Sequence, residues 1–251
     1  MNIPFFRNNF KNGITDGIQF QNLANNLGAW LLSLDLNSKY QFNFKEDNSI
    51  VTTLDFEISN QIKRLAKSTF PEIQIVSEED GFFNNGISNR LILLVDPLDG
   101  TENFASGLPI WGVGLAMFID GLLNFSCVLF PEIRLGHVSQ KIELPFGYRS
   151  LRSVSSTNGR LSLFPANLFH QDIVQKNNSN QQRILGCSLL NLSLACYGNV
   201  KFCSSGAGLR SWDFLPAILP AIENNLTVLV NNKKYHGEYL SPKERYTIEI
   251  Y

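Results

Sequence analysis

Apolar residues recur at helical spacing over residues 15–34, where Ile18, Leu23, Leu27, Trp30, Leu31 and Leu34 fall on one face. The pattern predicts an amphipathic helix whose task is packing. A second stripe, Leu54, Ile58, Ile62 and Leu65, predicts another helix. Thr52 or Thr53 can cap it, and Asp55 falls in its first turn, where a carboxylate suits the helix dipole. Phe70-Pro71 closes it, because proline disfavours helix in the residue before it. The pattern then changes. Ile73-Gln74-Ile75-Val76 is a short strand, and the unbroken apolar run Leu91-Ile92-Leu93-Leu94 is a buried one. Pro97 cannot donate to a ladder, so that strand is expected to end at or near Asp96. Residues 111–119 and 122–130 flank Asp120-Gly121, a strong hairpin signal. Near the C-terminus, Ser211 is the expected N-cap of a helix that tolerates Pro216 in its first turn and kinks or breaks at Pro220.

The chain of 251 residues is long enough for one large domain or two sub-domains with a sizeable core. A net charge of −1 implies no broad basic surface, so a nucleic-acid polymer or an acidic membrane is not an expected partner. Cys127, Cys187, Cys196 and Cys203 have no C-x-x-C spacing, which argues against zinc, and three of them sit in or beside apolar stretches. No apolar run is long enough to span a bilayer, and a soluble cytoplasmic protein is expected. His137, His170 and His236 lie in scattered contexts and read as exposed or structural.

The chemistry concentrates in Asp96-Pro97-Leu98-Asp99-Gly100-Thr101-Glu102-Asn103-Phe104, just past the buried strand. Asp96 and Asp99 repel each other unless a cation lies between them. Carboxylate and carbonyl oxygens are the donors a hard divalent ion prefers. Gly100 lets backbone come close to a bound group, and Thr101 adds a hydroxyl. Without its flanks the string also describes a surface Asx turn. Ser77-Glu78-Glu79-Asp80, after the short strand, equally reads as a solvated acidic loop.

The full string closely resembles the metal-binding motif of the inositol monophosphatase family of Mg²⁺-dependent, Li⁺-sensitive phosphatases. Four further segments resemble the same family, one of them Glu78-Glu79, which matches a Glu-Glu pair whose first member is a metal ligand there. Lys45-Glu46-Asp47-Asn48-Ser49-Ile50-Val51-Thr52-Thr53-Leu54-Asp55 matches its Lys-x-Asp-x-Ser-x-Val-Thr-x-x-Asp segment. Ile184 to Gly198 matches its Gly-Ser-Ala-Ala helix, with Gly186 in place and Cys187 where Ser is usual. Trp212-Asp213 matches its second landmark, although Phe214-Leu215-Pro216 replaces the small residues that usually follow.

The resemblance implies an α+β fold, a layered α/β/α/β/α sandwich of the inositol monophosphatase and fructose-1,6-bisphosphatase type. It implies two or three Mg²⁺ ions. One would use Glu78, Asp96 and the Leu98 carbonyl, and a second Asp96, Asp99 and Asp213. Glu78 and Thr101 would orient and deprotonate water, with Asp47 helping as in the family's nucleotidase branch. Asp99, Gly100, Thr101, Gly186 and Cys187 would meet the substrate. Residues 1–130 would form an N-terminal α+β sub-domain carrying most metal ligands, and residues 131–251 a C-terminal α/β sub-domain completing the site. A homodimer is frequent in the family. The expected activity is hydrolysis of a small phosphorylated metabolite. Inositol-specific members carry a Glu seven residues before the Trp-Asp acid, and Gly206 stands there in this chain. A 3′(2′),5′-bisphosphate nucleotidase is therefore an alternative, and a non-catalytic phosphometabolite-binding regulator is another.

Overall fold

The computed structural model describes residues 10–36, 40–45, 49–80, 90–151, 161–164, 181–196, 200–203 and 208–251. It opens with α1 (Phe10–Leu32), followed by β1 (Phe42–Phe44), β2 (Ile50–Thr52), α2 (Thr53–Thr69) and β3 (Gln74–Ser77). Next come β4 (Leu91–Asp99), α3 (Thr101–Ala105), β5 (Gly112–Ile119), β6 (Leu122–Phe130), β7 (Leu135–Val138) and β8 (Arg149–Ser150). The remainder is β9 (Leu161–Phe164), β10 (Gln181–Ile184), α4 (Ser188–Ala195), β11 (Val200–Cys203), α5 (Leu215–Glu223), β12 (Val228–Val230), β13 (Lys233–Lys234) and β14 (Ile248–Ile250).

β3 to β8 form one six-stranded sheet in chain order. A second six-stranded sheet has the order β10-β9-β11-β14-β12-β13. The sequence places a sub-domain boundary near Phe130, whereas the first sheet itself runs on to Ser150.

The residues of β4 alternate between two cores. Leu91, Leu93 and Val95 pack with Phe20, Leu23 and Leu27 of α1 and Leu54, Ile58 and Ile62 of α2. Ile92 and Leu94 face the other way, toward Leu189 and Leu192 of α4, Leu215 and Ile218 of α5, and Phe202, Val228 and Ile248 of the second sheet. Each fully buried side chain of this size stabilises the fold by about 1.5–3 kcal/mol. Among the described residues the layers are therefore helix, sheet, helix, sheet. None of the described helices is long and apolar enough to cross a membrane.

Several local expectations are corrected. Ile18 is 60% exposed, so the buried face of α1 is Phe20, Leu23, Ala24, Leu27 and Leu31 instead. β4 does not stop at Asp96. It continues to Asp99 through a register shift, with Asp96 opposite Gly114 and Asp99 opposite Gly112. The missing Pro97 donor falls inside that irregularity, where the ladder is interrupted anyway. Ser211 opens a 3₁₀ turn, Ser211–Asp213, and α5 starts only at Leu215. α5 continues through Pro220 to Glu223, so the proline leaves the last turn intact.

The bulky residues after Asp213 are accommodated from the opposite side. A Cβ on Gly114 would lie 2.9 Å from Pro216 Cβ and 2.8 Å from Leu189 Cδ1. The bare glycine on β5 makes the room that small helix residues would otherwise supply. The hairpin follows its sequence signal, with Asp120 and Gly121 both at positive φ.

Candidate metal centre

β3 and β4 are parallel, with Ser77 opposite Val95, so both chains leave the sheet at the same end. The next residue of β3 is Glu78, in a 3₁₀ turn, and the next of β4 is Asp96. Asp96 follows Ile92 and Leu94 on the face toward α4 and α5, where the Ser211–Asp213 turn packs against β4. One carboxylate oxygen from each of Glu78, Asp96 and Asp213 lies within 4.8 Å of the others. Asp96 is buried, and among the described residues its Oδ1 has no hydrogen-bond partner.

Such an atom is costly in a folded protein unless something absent from the chain satisfies it. Burial pushes the Asp96 carboxyl well up, and the charges of Glu78, Asp99 and Asp213 push it further. Burial and the Glu78 and Asp99 charges raise Asp213 likewise, although the Arg210 N–H donates to its Oδ2 at 2.8 Å. Three converging carboxylates and an orphaned oxygen fit a hard divalent cation.

Asp99 stands apart from this triad. Its Oδ2 accepts the Leu189 N–H at 2.6 Å and the Cys187 thiol at 3.0 Å, at the start of α4. Burial raises its carboxyl, and these two donors oppose the rise. Oδ2 is thus committed to the protein. The Leu98 carbonyl accepts the Thr101 hydroxyl at 2.9 Å, which leaves one lone pair for another partner. Gly100 has φ 86°, and a Cβ there would meet Ile110 O at 2.9 Å and Cys187 Cβ at 3.2 Å. Gly100, Gly186 and Cys187 are therefore neighbours across the layers. Asn103 holds them so, donating from Nδ2 to the carbonyls of Ile110 and Leu185, both at 2.8 Å.

Within the protein, Thr101 and Glu78 turn to different partners. The second acceptor beside Thr101 Oγ1 is Asp55 Oδ1 at 3.2 Å. Asp55 Oδ2 meanwhile accepts the Thr52 N–H at 2.8 Å, capping α2. The capping role and a place near the site are both fulfilled by one carboxylate. Glu78 pairs instead with Lys45, whose Nζ lies 3.0 Å from Glu78 Oε1 and 2.9 Å from Glu79 Oε1. Burial alone would lower the Lys45 ammonium, but the two glutamates hold it above its usual range. Glu79 is raised to about 7 by burial and by Glu78, against the pull of Lys45. Lys45 and Glu79 carried no assigned role in the sequence, and the signal for Lys45 was its place at the head of the Lys-x-Asp segment.

Asp47, His170 and Gly206 lie outside the described residues. His137 is structural: it is buried, its Nε2 lies 2.9 Å from the Ala217 carbonyl, and burial lowers it to about 4.

The sequence profile of the inositol monophosphatase family matches residues 23–223. The chain belongs to this family. Among curated members, the Nus factor SuhB of Vibrio cholerae is 36% identical over 99 residues, a match that covers 39% of this chain and 37% of that one. The chain thus spans little more than a third of that relative's length. The histidinol-phosphatase of Chlorobaculum parvum is 24% identical over 188 residues, covering 71% of each chain. A solved inositol monophosphatase/NADP phosphatase, complexed with Mg²⁺ and phosphate, superposes with a TM-score of 0.74 at 19% identity, covering 94% of this chain and 91% of that one. The last establishes the family's α+β fold for this chain.

Proposed function

We propose that the protein is a Mg²⁺-dependent phosphomonoesterase that hydrolyses a small phosphorylated metabolite with water. The observation that carries this reading is the convergence of Glu78, Asp96 and Asp213 about the orphaned Asp96 Oδ1. Glu78, Asp96 and the Leu98 carbonyl would hold one ion, and Asp96, Asp99 Oδ1 and Asp213 a second. When bound, the metal supplies charge stabilisation for the phosphoryl oxygens and a lower pKa for water.

The chain's own residues hold the reactants. Thr101 Oγ1 takes a proton from the attacking water as its own hydroxyl proton, turned from the Leu98 carbonyl, passes to Asp55 Oδ1. Lys45 keeps Glu78 in place, so Glu78 acts as a ligand and not as the base. The Gly100-Thr101 backbone meets the substrate phosphate, and Asp99 is aimed by Cys187 and Leu189. No protein nucleophile takes part.

Phosphate release from a panel of phosphorylated metabolites, with Mg²⁺ and with EDTA, tests the reading. Hydrolysis with Mg²⁺ and none with EDTA is expected. Undiminished hydrolysis in EDTA overturns it. Because Gly206 supplies no carboxylate for ring hydroxyls, selectivity for inositol 1-phosphate over 3′-phosphoadenosine 5′-phosphate should fall short of a hundredfold, about the scale of a lost buried polar contact. A second reading rests on the SuhB relative, which is named a Nus factor: a regulator that binds phosphometabolites without turnover. Tight Mg²⁺-dependent binding without phosphate release across the panel would favour it.

A further inference from the structure

Asp99 ends β4, and Asn103 lies in α3, on the far side of the turn at Gly100. Both side chains reach the same distant segment, the run from β10 into α4. The Cys187 thiol and the Leu189 N–H donate to Asp99 Oδ2 at 3.0 and 2.6 Å. Asn103 Nδ2 donates to the Leu185 carbonyl at 2.8 Å. It also donates to the Ile110 carbonyl, just before β5, at 2.8 Å. A side-chain amide nitrogen carries two protons, so both are spent on carbonyls of two separate segments. Gly186 packs directly on this amide, since a Cβ there would lie 2.7 Å from Asn103 Oδ1. Gly100 closes the contact from β4, where a Cβ would lie 3.3 Å from the Gly186 carbonyl oxygen.

We infer that Asn103 is a positioning residue for the metal centre that acts through Asp99. It pins residues 185–189 so that Cys187 and Leu189 hold one Asp99 oxygen and leave the other aimed at an ion. The inference rests on the phosphatase reading for Asp99 as a ligand. The carboxylate turns about two single bonds, so its aim is set by whatever holds Oδ2. A thiol is a weak donor, and the Leu189 N–H reaches Asp99 only while the first turn of α4 keeps its place. Leu189 and Leu192 bury the apolar side of α4, but apolar contact is non-directional and does not fix that turn. The directional restraint is the bond from Asn103 to the Leu185 carbonyl.

Two measurements on the full chain test this, the first without metal. Cys127, Cys187 and Cys196 are all buried. In Asn103→Ala, alkylation by iodoacetamide in EDTA, mapped by mass spectrometry, should quicken about tenfold at Cys187 and stay unchanged at Cys127 and Cys196. An unchanged Cys187 rate overturns the inference. So does a rise at all three thiols, the signature of a merely structural role. The second measurement is calorimetric titration with Mg²⁺. At least one ion should bind about tenfold more weakly to Asn103→Ala, the scale of a lost outer-shell partner. Cys187→Ala should weaken the same ion, and the double variant should lose little more than the worse single variant, because both act through Asp99. Unchanged affinity, or losses that simply add, overturns the inference. Asn103→Ser, which keeps one donor in a smaller side chain, takes the place of Asn103→Ala should the latter fail to fold. A native protein that binds no Mg²⁺ refutes the metal site and the inference with it. One that binds Mg²⁺ but releases no phosphate refutes the phosphatase reading alone, and both measurements still decide the role of Asn103.

Discussion

The Thr101 hydroxyl oxygen lies 3.2 Å from Asp55 Oδ1, while the other Asp55 oxygen caps α2 through the Thr52 N–H. One carboxylate therefore ties the start of a helix to the residue that follows Asp96 and Asp99 in the chain. Thr101→Ala should lower kcat by about 10²-fold, the scale of a lost acid–base element, and change KM less. Adding Asp55→Asn to that variant should cost little further kcat, because the two act as a unit. Steady-state kinetics check both, and a near-normal kcat with raised KM would reduce Thr101 to phosphate binding.

The acids predict a pH dependence. Burial and neighbouring charge raise Asp99 to about 6 and Asp213 to about 8. An unfolded carboxyl releases its proton near pH 4. Between those limits the folded protein holds more protons than the unfolded chain, so this contribution is complete at low pH and is lost as pH rises toward about 8. Mg²⁺ must displace the same protons and binds better as they leave. Thermal midpoints in EDTA should fall from about pH 5.5 to about pH 8, and the rise on adding Mg²⁺ should grow across that range. A rise that shrinks with pH would contradict the triad as the metal site.

Asp96→Asn removes the charge at the centre of the triad. Hydrolysis should disappear, while the metal-free protein keeps its fold, because the amide replaces a carboxyl that burial and neighbouring charge already bias to the neutral form. Melting curves with and without Mg²⁺ test this. A Mg²⁺-induced shift equal to that of the native protein would show that the ion binds elsewhere.

Gly114→Ala should destabilise the fold by about 1–3 kcal/mol, the usual cost of overpacking. The added methyl meets Leu189 and Pro216 within 3 Å. Urea titration should show a lower midpoint with an unchanged slope.

Much of this was legible in the chain. The stripes of α1 and α2, the Asp120-Gly121 hairpin and the family motifs are local patterns, and each repeats the geometry of the element it makes. What was hidden depends on contacts between distant segments. Pro97 looked like a strand end because a bulge is set by the partner strand. That one Asp99 oxygen is held by Cys187 and Leu189 was hidden because these donors lie almost ninety residues on. That Asp55 lies beside Thr101 and Lys45 beside Glu78 could not be read without the fold.

The first sheet takes its six strands consecutively from the chain and is complete at Ser150. Asp213 comes from much later. During synthesis the nascent polypeptide can therefore assemble that sheet, with Glu78 and Asp96 already at one end of β3 and β4, while the ribosome still holds the third acid. Domains fold as units as they emerge, at about 5–20 residues per second. For several seconds on that scale the growing chain has a scaffold but no complete ion cage. On the phosphatase reading, hydrolysis would begin only once the last third of the protein has emerged and brought Asp213 to Glu78 and Asp96.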